Sequence, residues 1–144
     1  STVNIVIGQR LVRVLCDNCK QPYSAPPEVV QELHKELDPL GAINIYTSDQ
    51  KVKLHFDATT TDVTLYKPVG CPKCNDTGYM SRMGIFEVLK MSENISAAVI
   101  AHATISDIQT IAIKEGMITM IKDGFIKTLE GLTTVEEVLR VKNE

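Results

Sequence analysis

The chain has 144 residues, 44% hydrophobic and 23% charged, which suffices for one real core or two small lobes sharing a wall and excludes disordered, collagen-like and low-complexity classes. Its formal charge of -3 is spread without a basic stripe: residues 1–15 carry +2, 16–79 carry -3, 80–91 carry +1 and 92–144 carry -3. Nucleic acid is therefore not an expected partner, and no apolar run approaches the roughly 20 residues that span a bilayer.

The N-terminus shows no basic region followed by an apolar stretch and a cleavage site, so the expectation is a soluble, unexported protein. The chain opens without Met directly into an apolar segment, which reads as mid-domain rather than as a natural start. Val3, Ile7, Leu11, Val14 and Leu15 fall at helical spacing with Gln9, Arg10 and Arg13 on other faces, so residues 2–15 are predicted to be an amphipathic helix. Gly8 in its middle costs about 1 kcal/mol relative to Ala and suggests a close backbone approach.

Beyond Cys16 and Cys19, prolines at 22, 26 and 27 lead into a predicted helix over Glu28–Leu37, with Val29, Val30, Leu33 and Leu37 on one face. Asp38, Pro39 and Gly41 should break it. Residues 43–46, 52–56 and 63–66 carry strand signals, and the alternation of Val52, Leu54 and Phe56 against Lys51, Lys53 and His55 implies a small antiparallel sheet with one wet face. Gly84–Leu89 is nearly continuously apolar, as a strand buried on both faces would be.

From Ser92 the pattern is helical. Helices are predicted over 93–102, 105–115 and 117–130, with Gly116 and Gly131 as stops and Gly124 interrupting the third. Thr133 and Glu136 fit a capping box, so a last helix should start near residue 134.

All four cysteines fall in two Cys-x-x-Cys pairs, Cys16/Cys19 and Cys71/Cys74, with 51 residues between them. A two-residue spacer lets both sulfurs of a pair face one ion, and two such knuckles supply four thiolates to a tetrahedral zinc at about 2.3 Å. Such a set leaves no position for water, so zinc bound by Cys16, Cys19, Cys71 and Cys74 would be structural. The elements between the pairs hold little apolar surface, and metal binding on the order of 10 kcal/mol would supply what that core lacks. Iron in a rubredoxin-like site uses the same ligands, and disulfide or redox use remains the alternative chemistry, though neither pair sits in a strand-to-helix redox context. His34, His55 and His102 are scattered away from the cysteines and read as ordinary surface or boundary residues.

Arg10, Arg13 and Arg82 read as solvated positions or local salt bridges. Glu87, amid apolar neighbours, is expected to pair with Arg82. The isoleucine and methionine stripe of 105–129 reads as core. No catalytic triad or carboxylate pair stands out, and G-x-x-x-x-G-K-[ST] does not occur, so no phosphate-cradling loop is present in the sequence.

The run Gln9-Arg10-Leu11-Val12-Arg13, then Cys16-x-x-Cys19-Lys20, GCPKCNDTGY over 70–79, GIFEVL over 84–89 and the tail from Gly116 to Val141 together resemble the C-terminal part of the type II secretion and type IV pilus-assembly ATPases. The resemblance leaves out roughly Pro26–Lys67. It implies a fragment of a hexameric P-loop motor that drives assembly from the cytoplasmic side of the inner membrane, with ATP and Mg bound by parts of the parent that lie upstream. No ATPase activity is expected of this chain alone. Implied partners are neighbouring ATPase subunits and the inner-membrane platform protein of the machine, and the resemblance gives Arg10, Arg13 and Arg82 the alternative role of contacting neighbouring subunits or nucleotide in the parent motor. The tetracysteine insertion is characteristic of the assembly and secretion branch rather than of retraction motors. One departure is Ser81-Arg82, where the family usually has Gly-Arg.

The resulting expectation is an α+β fold: a tetracysteine zinc-binding lobe with a small antiparallel sheet, then an all-helical C-terminal lobe. Residues 1–15 would be a helix ending the nucleotide-binding core, 16–79 the zinc-binding subdomain with an inserted helix and strands, 80–91 a strand linking back to the core sheet, and 92–144 the helical subdomain. That strand should be covered by the helical tail, by residues 2–15 or by a second copy. Alternatives are a stand-alone zinc-ribbon module binding nucleic acid or protein, which the acidic 16–79 segment and absent aromatic platform disfavour, and a chaperone-like zinc module, whose cysteine-glycine repeats would be more numerous.

Overall fold

A computed structural model describes residues 3–37, 43–46 and 52–143. Among these, the elements follow in the order β1 (Ile5–Leu15), β2 (Gln21–Ser24), α1 (Pro27–Leu37), β3 (Ile43–Tyr46), β4 (Val52–Phe56), β5 (Thr64–Lys67), β6 (Tyr79–Lys90), α2 (Glu93–Ile100), α3 (Ile105–Lys114), α4 (Met120–Leu129) and α5 (Val135–Lys142). All pairings are antiparallel, in two-stranded ladders of β1 with β6, β2 with β5, and β3 with β4. The α+β class is as expected, but its small sheet is split. β5 pairs with β2, which the sequence hid behind Pro22, and not with β3 or β4. The break expected at Asp38, Pro39 and Gly41 lies outside the described residues, as do Lys51 and the side chains of Val52, Lys53 and Leu54; at the end of β4, His55 is exposed and Phe56 buried.

The principal correction is at the start. Residues 5–15 are a strand, not a helix. Val3, Ile7 and Leu11 satisfy a helical repeat, but the segment is rich in β-branched residues, and pairing with β6 from Ile5↔Lys90 to Arg13↔Arg82 decides the matter. The close approach at Gly8 is real: a Cβ there would stand 3.2 Å from Met120 Cε, so α4 rests on the strand backbone.

Cross-strand partners share a face. Arg10 and Val12 of β1 share a face with Met83 and Ile85 of β6; Arg10 is exposed, while Val12, Ile85 and Val141 form a small cluster joined by Met83 and Met120. Ile5, Ile7 and Leu11 lie with Phe86 and Val88 on the opposite face, and all five are exposed. β6 is thus not buried on both faces as its composition suggested: α4 covers one face and β1 one edge.

The main core is shared between the cysteine-flanked region and the tail. Val30, Leu33 and Leu37 of α1 meet Phe56, Val63 and Leu65, and all pack with Phe125 and Leu129 of α4 and Val138 of α5. Gly124 does not interrupt its helix. A Cβ there would stand 2.8 Å from Val138 Cγ1, so this glycine allows α4 and α5 to cross closely. Gly116 and Gly131 end α3 and α4 in left-handed geometry, as expected. α4 starts at Met120 rather than 117, because Thr119 caps it by accepting from Lys122 N. The last cap is shifted by one residue: Thr134, not Thr133, accepts from the N–H of Glu137, while Thr133 Oγ1 donates to Arg13 O at 2.8 Å.

Candidate metal centre

Both cysteine pairs sit in tight turns at the same end of the β1–β6 ribbon. The first follows β1, with Cys19 N and Lys20 N both donating to Cys16 O at 3.2 and 2.9 Å. In the second, Cys74 N donates to Cys71 O at 3.1 Å and Asp76 N to the same oxygen at 2.9 Å, while Asn75 and Asp76 adopt left-handed backbone angles. Asn and Asp tolerate that region better than other side chains. The turn then leaves through Gly78, whose φ of 75° and whose contact with Pro68, 2.4 Å from a notional Cβ, exclude any side chain. Cys16 N donates to Gly78 O at 2.9 Å, so the two knuckles are laced together by backbone.

This lacing brings the four sulfurs within 4.8 Å of one another. Cys16 and Cys71 Sγ are 3.9 Å apart, Cys19 and Cys74 are 3.8 Å apart, and Cys71 and Cys74 are 3.8 Å apart. The edge of a tetrahedron of sulfurs around an ion at about 2.3 Å is about 3.8 Å. These three edges match a tetrahedral thiolate site, and the donor chemistry suits zinc or iron.

Donors around the sulfurs favour thiolates. Gly78 N donates to Cys74 Sγ at 3.2 Å, and Asn18 Nδ2 to Cys71 Sγ at 3.3 Å. The Asn18 amide draws the Cys71 thiol down to about 6. At Cys74 burial works against ionisation, but the backbone amides of Cys71 and Gly78 outweigh it. Burial and the three adjoining thiols instead push Cys19 up to about 11. Four thiolates cannot accumulate side by side uncompensated, and a dication among them relieves that repulsion.

No histidine joins the cluster. His34 stacks on Phe56 at 4.8 Å between ring centroids with Nε2 2.6 Å from Thr60 O, and His55 Nε2 lies 3.0 Å from Asp57 Oδ2. Beside the knuckles, Arg13 forms a local ion pair, donating from Nε and NH2 to Glu137 Oε1 at 3.0 and 2.8 Å, while its backbone N–H reaches Oε2 at 2.8 Å. Arg10 NH1 donates to Val141 O at 2.6 Å. Contrary to the expectation from sequence, Glu87 does not pair with Arg82; it caps α4 by accepting from Met120 N at 3.2 Å, and Arg82 lies opposite Arg13 across the ribbon. Asn18 and Glu137 were not singled out from sequence. Only Glu137 left a trace there, as the second acid of a Thr-Thr-x-Glu-Glu run.

Residues 1–140 match the family described as Type II/IV secretion system protein. The type IV pilus assembly ATPase PilB of Thermus thermophilus is 34% identical over 134 residues, covering 93% of this chain and 13% of that protein. Type II secretion system protein E of Pectobacterium carotovorum is 34% identical over 140 residues, covering 96% and 23%. PilB of Pseudomonas aeruginosa is 31% identical over 144 residues, covering 100% and 22%. The chain thus spans between 13% and 23% of the length of these curated relatives.

Proposed function

Since the chain belongs to the type II/IV secretion system protein family, we propose that it is the C-terminal metal-binding and helical part of a hexameric cytoplasmic ATPase that powers type II secretion or type IV pilus assembly. The observation that carries this reading is the outer face of the β1–β6 ribbon, where Ile5, Ile7, Leu11, Phe86 and Val88 lie together, Ile7 exposed to 62% and Phe86 to 41%. A long two-stranded ribbon with one apolar face in water is what remains of a larger sheet whose other layers come from more chain. The relatives carry that additional length.

On this reading residues 1–15 close the nucleotide-binding core, 16–79 form the metal-binding subdomain, 80–91 return to the core sheet and 92–144 form the helical subdomain. ATP and Mg belong to the remainder of the longer protein. Cys16, Cys19, Cys71 and Cys74 would hold a structural zinc, which supplies a fixed crosslink and no reactive position. Neighbouring subunits and an inner-membrane platform protein are the partners, so the assembly is cytoplasmic and peripheral to that membrane.

The test compares this chain with the product of its full reading frame. The expected result is one zinc per chain in both, ATP hydrolysis only in the longer protein, and amide exchange at 5–11 and 84–88 that slows in the longer protein. ATP hydrolysis by this chain alone, or a full reading frame without a nucleotide site, refutes the motor reading. Metal-free protein with an unchanged melting curve refutes the zinc.

A further inference from the structure

Three of the four tyrosines, Tyr23, Tyr66 and Tyr79, line one shallow groove of about 430 Å³ together with Pro26, Pro68 and Glu136. One wall is β2 and the start of α1, another is the end of β5, and Glu136 stands in the first turn of α5. We infer that this groove docks an extended, proline-containing peptide that presents a basic side chain to Glu136.

The chemistry of the lining selects that occupant. A polyproline helix has three residues per turn, no internal hydrogen bonds and carbonyls that need outside donors, and aromatic-lined grooves recognise it at low entropic cost. The Tyr23 hydroxyl makes no hydrogen bond among the described residues, so it is available as such a donor. Burial and then the Glu136 charge push this phenol up, which keeps it protonated. Lys67, also in the lining, offers a second donor.

Charge complementarity fixes the basic side chain. Glu137 is consumed by Arg13 and Arg140, whereas the adjacent Glu136 is exposed and has no ion pair among the described residues. The rings already attract cations from the protein side: the Arg13 guanidinium lies 4.2 Å from the Tyr79 centroid and Lys20 Nζ 5.3 Å from that of Tyr66. Those contacts hold the rings in place, and a cation arriving from solvent beside Glu136 meets the same ring electrostatics. The groove also depends on the cysteine knuckle, since Pro68 packs on Gly78 and Tyr79 follows it directly. None of this relies on the motor reading.

The test uses a fluorescein-labelled proline-rich peptide with a single arginine, titrated into the full chain at low salt and read by fluorescence anisotropy. Binding is expected with a dissociation constant below about 1 mM, weakened about tenfold or more by Glu136→Lys. The same peptide with glutamate in place of arginine should bind Glu136→Lys better than the parent chain. Circular dichroism establishes that the variant is folded, and Glu136→Gln gives an intermediate affinity. Equal binding by parent and variant, or no binding by folded parent chain at about 1 mM peptide, overturns the proposal. Self-association that Glu136→Lys abolishes, without peptide binding, also overturns it and gives the groove to a second copy of the chain.

Discussion

At Glu137 one buried carboxylate holds a strand amide and two guanidinium groups together. Its side chain is 3% exposed and it accepts from Arg13 N, Nε and NH2 and, at 3.1 Å, from Arg140 NH2. Replacing it with Ala removes the acceptor of the Arg13 backbone N–H and the anion shared by both guanidinium groups. Removing one partner of a buried pair costs about 3 to 5 kcal/mol, and because Arg13 and Arg140 remain 49% and 43% exposed and can be rehydrated, the low end applies. Titration leads to a similar figure. Burial opposes the charge of Glu137, but Arg13 and Arg140 outweigh it and lower the group from 4.5 to about 2. At about 1.4 kcal/mol per unit, this is again on the order of 3 kcal/mol. The folded-state value is depressed, so this stability is fully present above pH 4.5 and is lost as pH falls from there toward 2. Thermal melts of the parent chain, Glu137→Ala and Glu137→Gln from pH 7 to pH 3 check both figures. Glu137→Ala should melt about 10 °C lower at pH 7, and the gap between parent and Glu137→Gln should close as the pH drops. Any effect of acid on the metal centre is common to both proteins and cancels in the difference. An unchanged melting temperature for Glu137→Ala, or a gap that stays constant with pH, would rule out this stabilising role for Glu137.

Ser81 sits at a φ of 65°, so Ser81→Gly should stabilise the chain by about 0.5 to 1 kcal/mol, seen as a raised urea midpoint. Gly124→Ala drives a methyl into Val138 and should cost about 1 to 3 kcal/mol in the same assay, whereas Gly116→Ala meets no atom within 4 Å and pays only for its left-handed backbone. Chelation of metal from purified protein should lower the melting temperature and release one zinc per four reacted thiols, and Cys74→Ser should prevent stoichiometric metal uptake. Metal-free protein that melts unchanged would contradict this.

The cysteine cluster was legible because a Cys-x-x-Cys spacer constrains geometry locally, and only the convergence of two knuckles had to be assumed. α1 and the stops at Gly116 and Gly131 were legible for the same reason: a helical face or a left-handed glycine is a short-range property. β1 was not. Its apolar residues fit two periods, and the partner that selects between them, β6, lies far along the chain. β2 is four residues long and contains Pro22, so nothing within it announces a strand until β5 pairs with it. Glu137 escaped notice because two adjacent threonines precede two adjacent acids, and the correct capping frame depends on Thr133 being taken by Arg13.

Those contacts also determine which parts of the chain move together. The turn between α4 and α5 is fastened to the segments flanking the cysteine knuckles residue by residue. Lys20 Nζ donates to Gly131 O at 2.9 Å, Leu15 N to Leu132 O at 2.9 Å and Thr133 Oγ1 to Arg13 O at 2.8 Å, while Tyr79 Oη lies 3.3 Å from Thr134 Oγ1. Glu137 adds the buried ion pair one helical turn later. By contrast, α2 and α3 bury only Ile95 and Ala112 between them. Local opening free energies follow such differences in burial and hydrogen bonding. The knuckles, β1 and the α4–α5 pair should therefore exchange amides as one slow unit, with α2 and α3 opening independently and faster. On that expectation α4 and α5 exchange with the cysteine knuckles, because they share the core with α1 and the buried ion pair with Arg13. The α2–α3 hairpin, which buries least, is the element expected to open first.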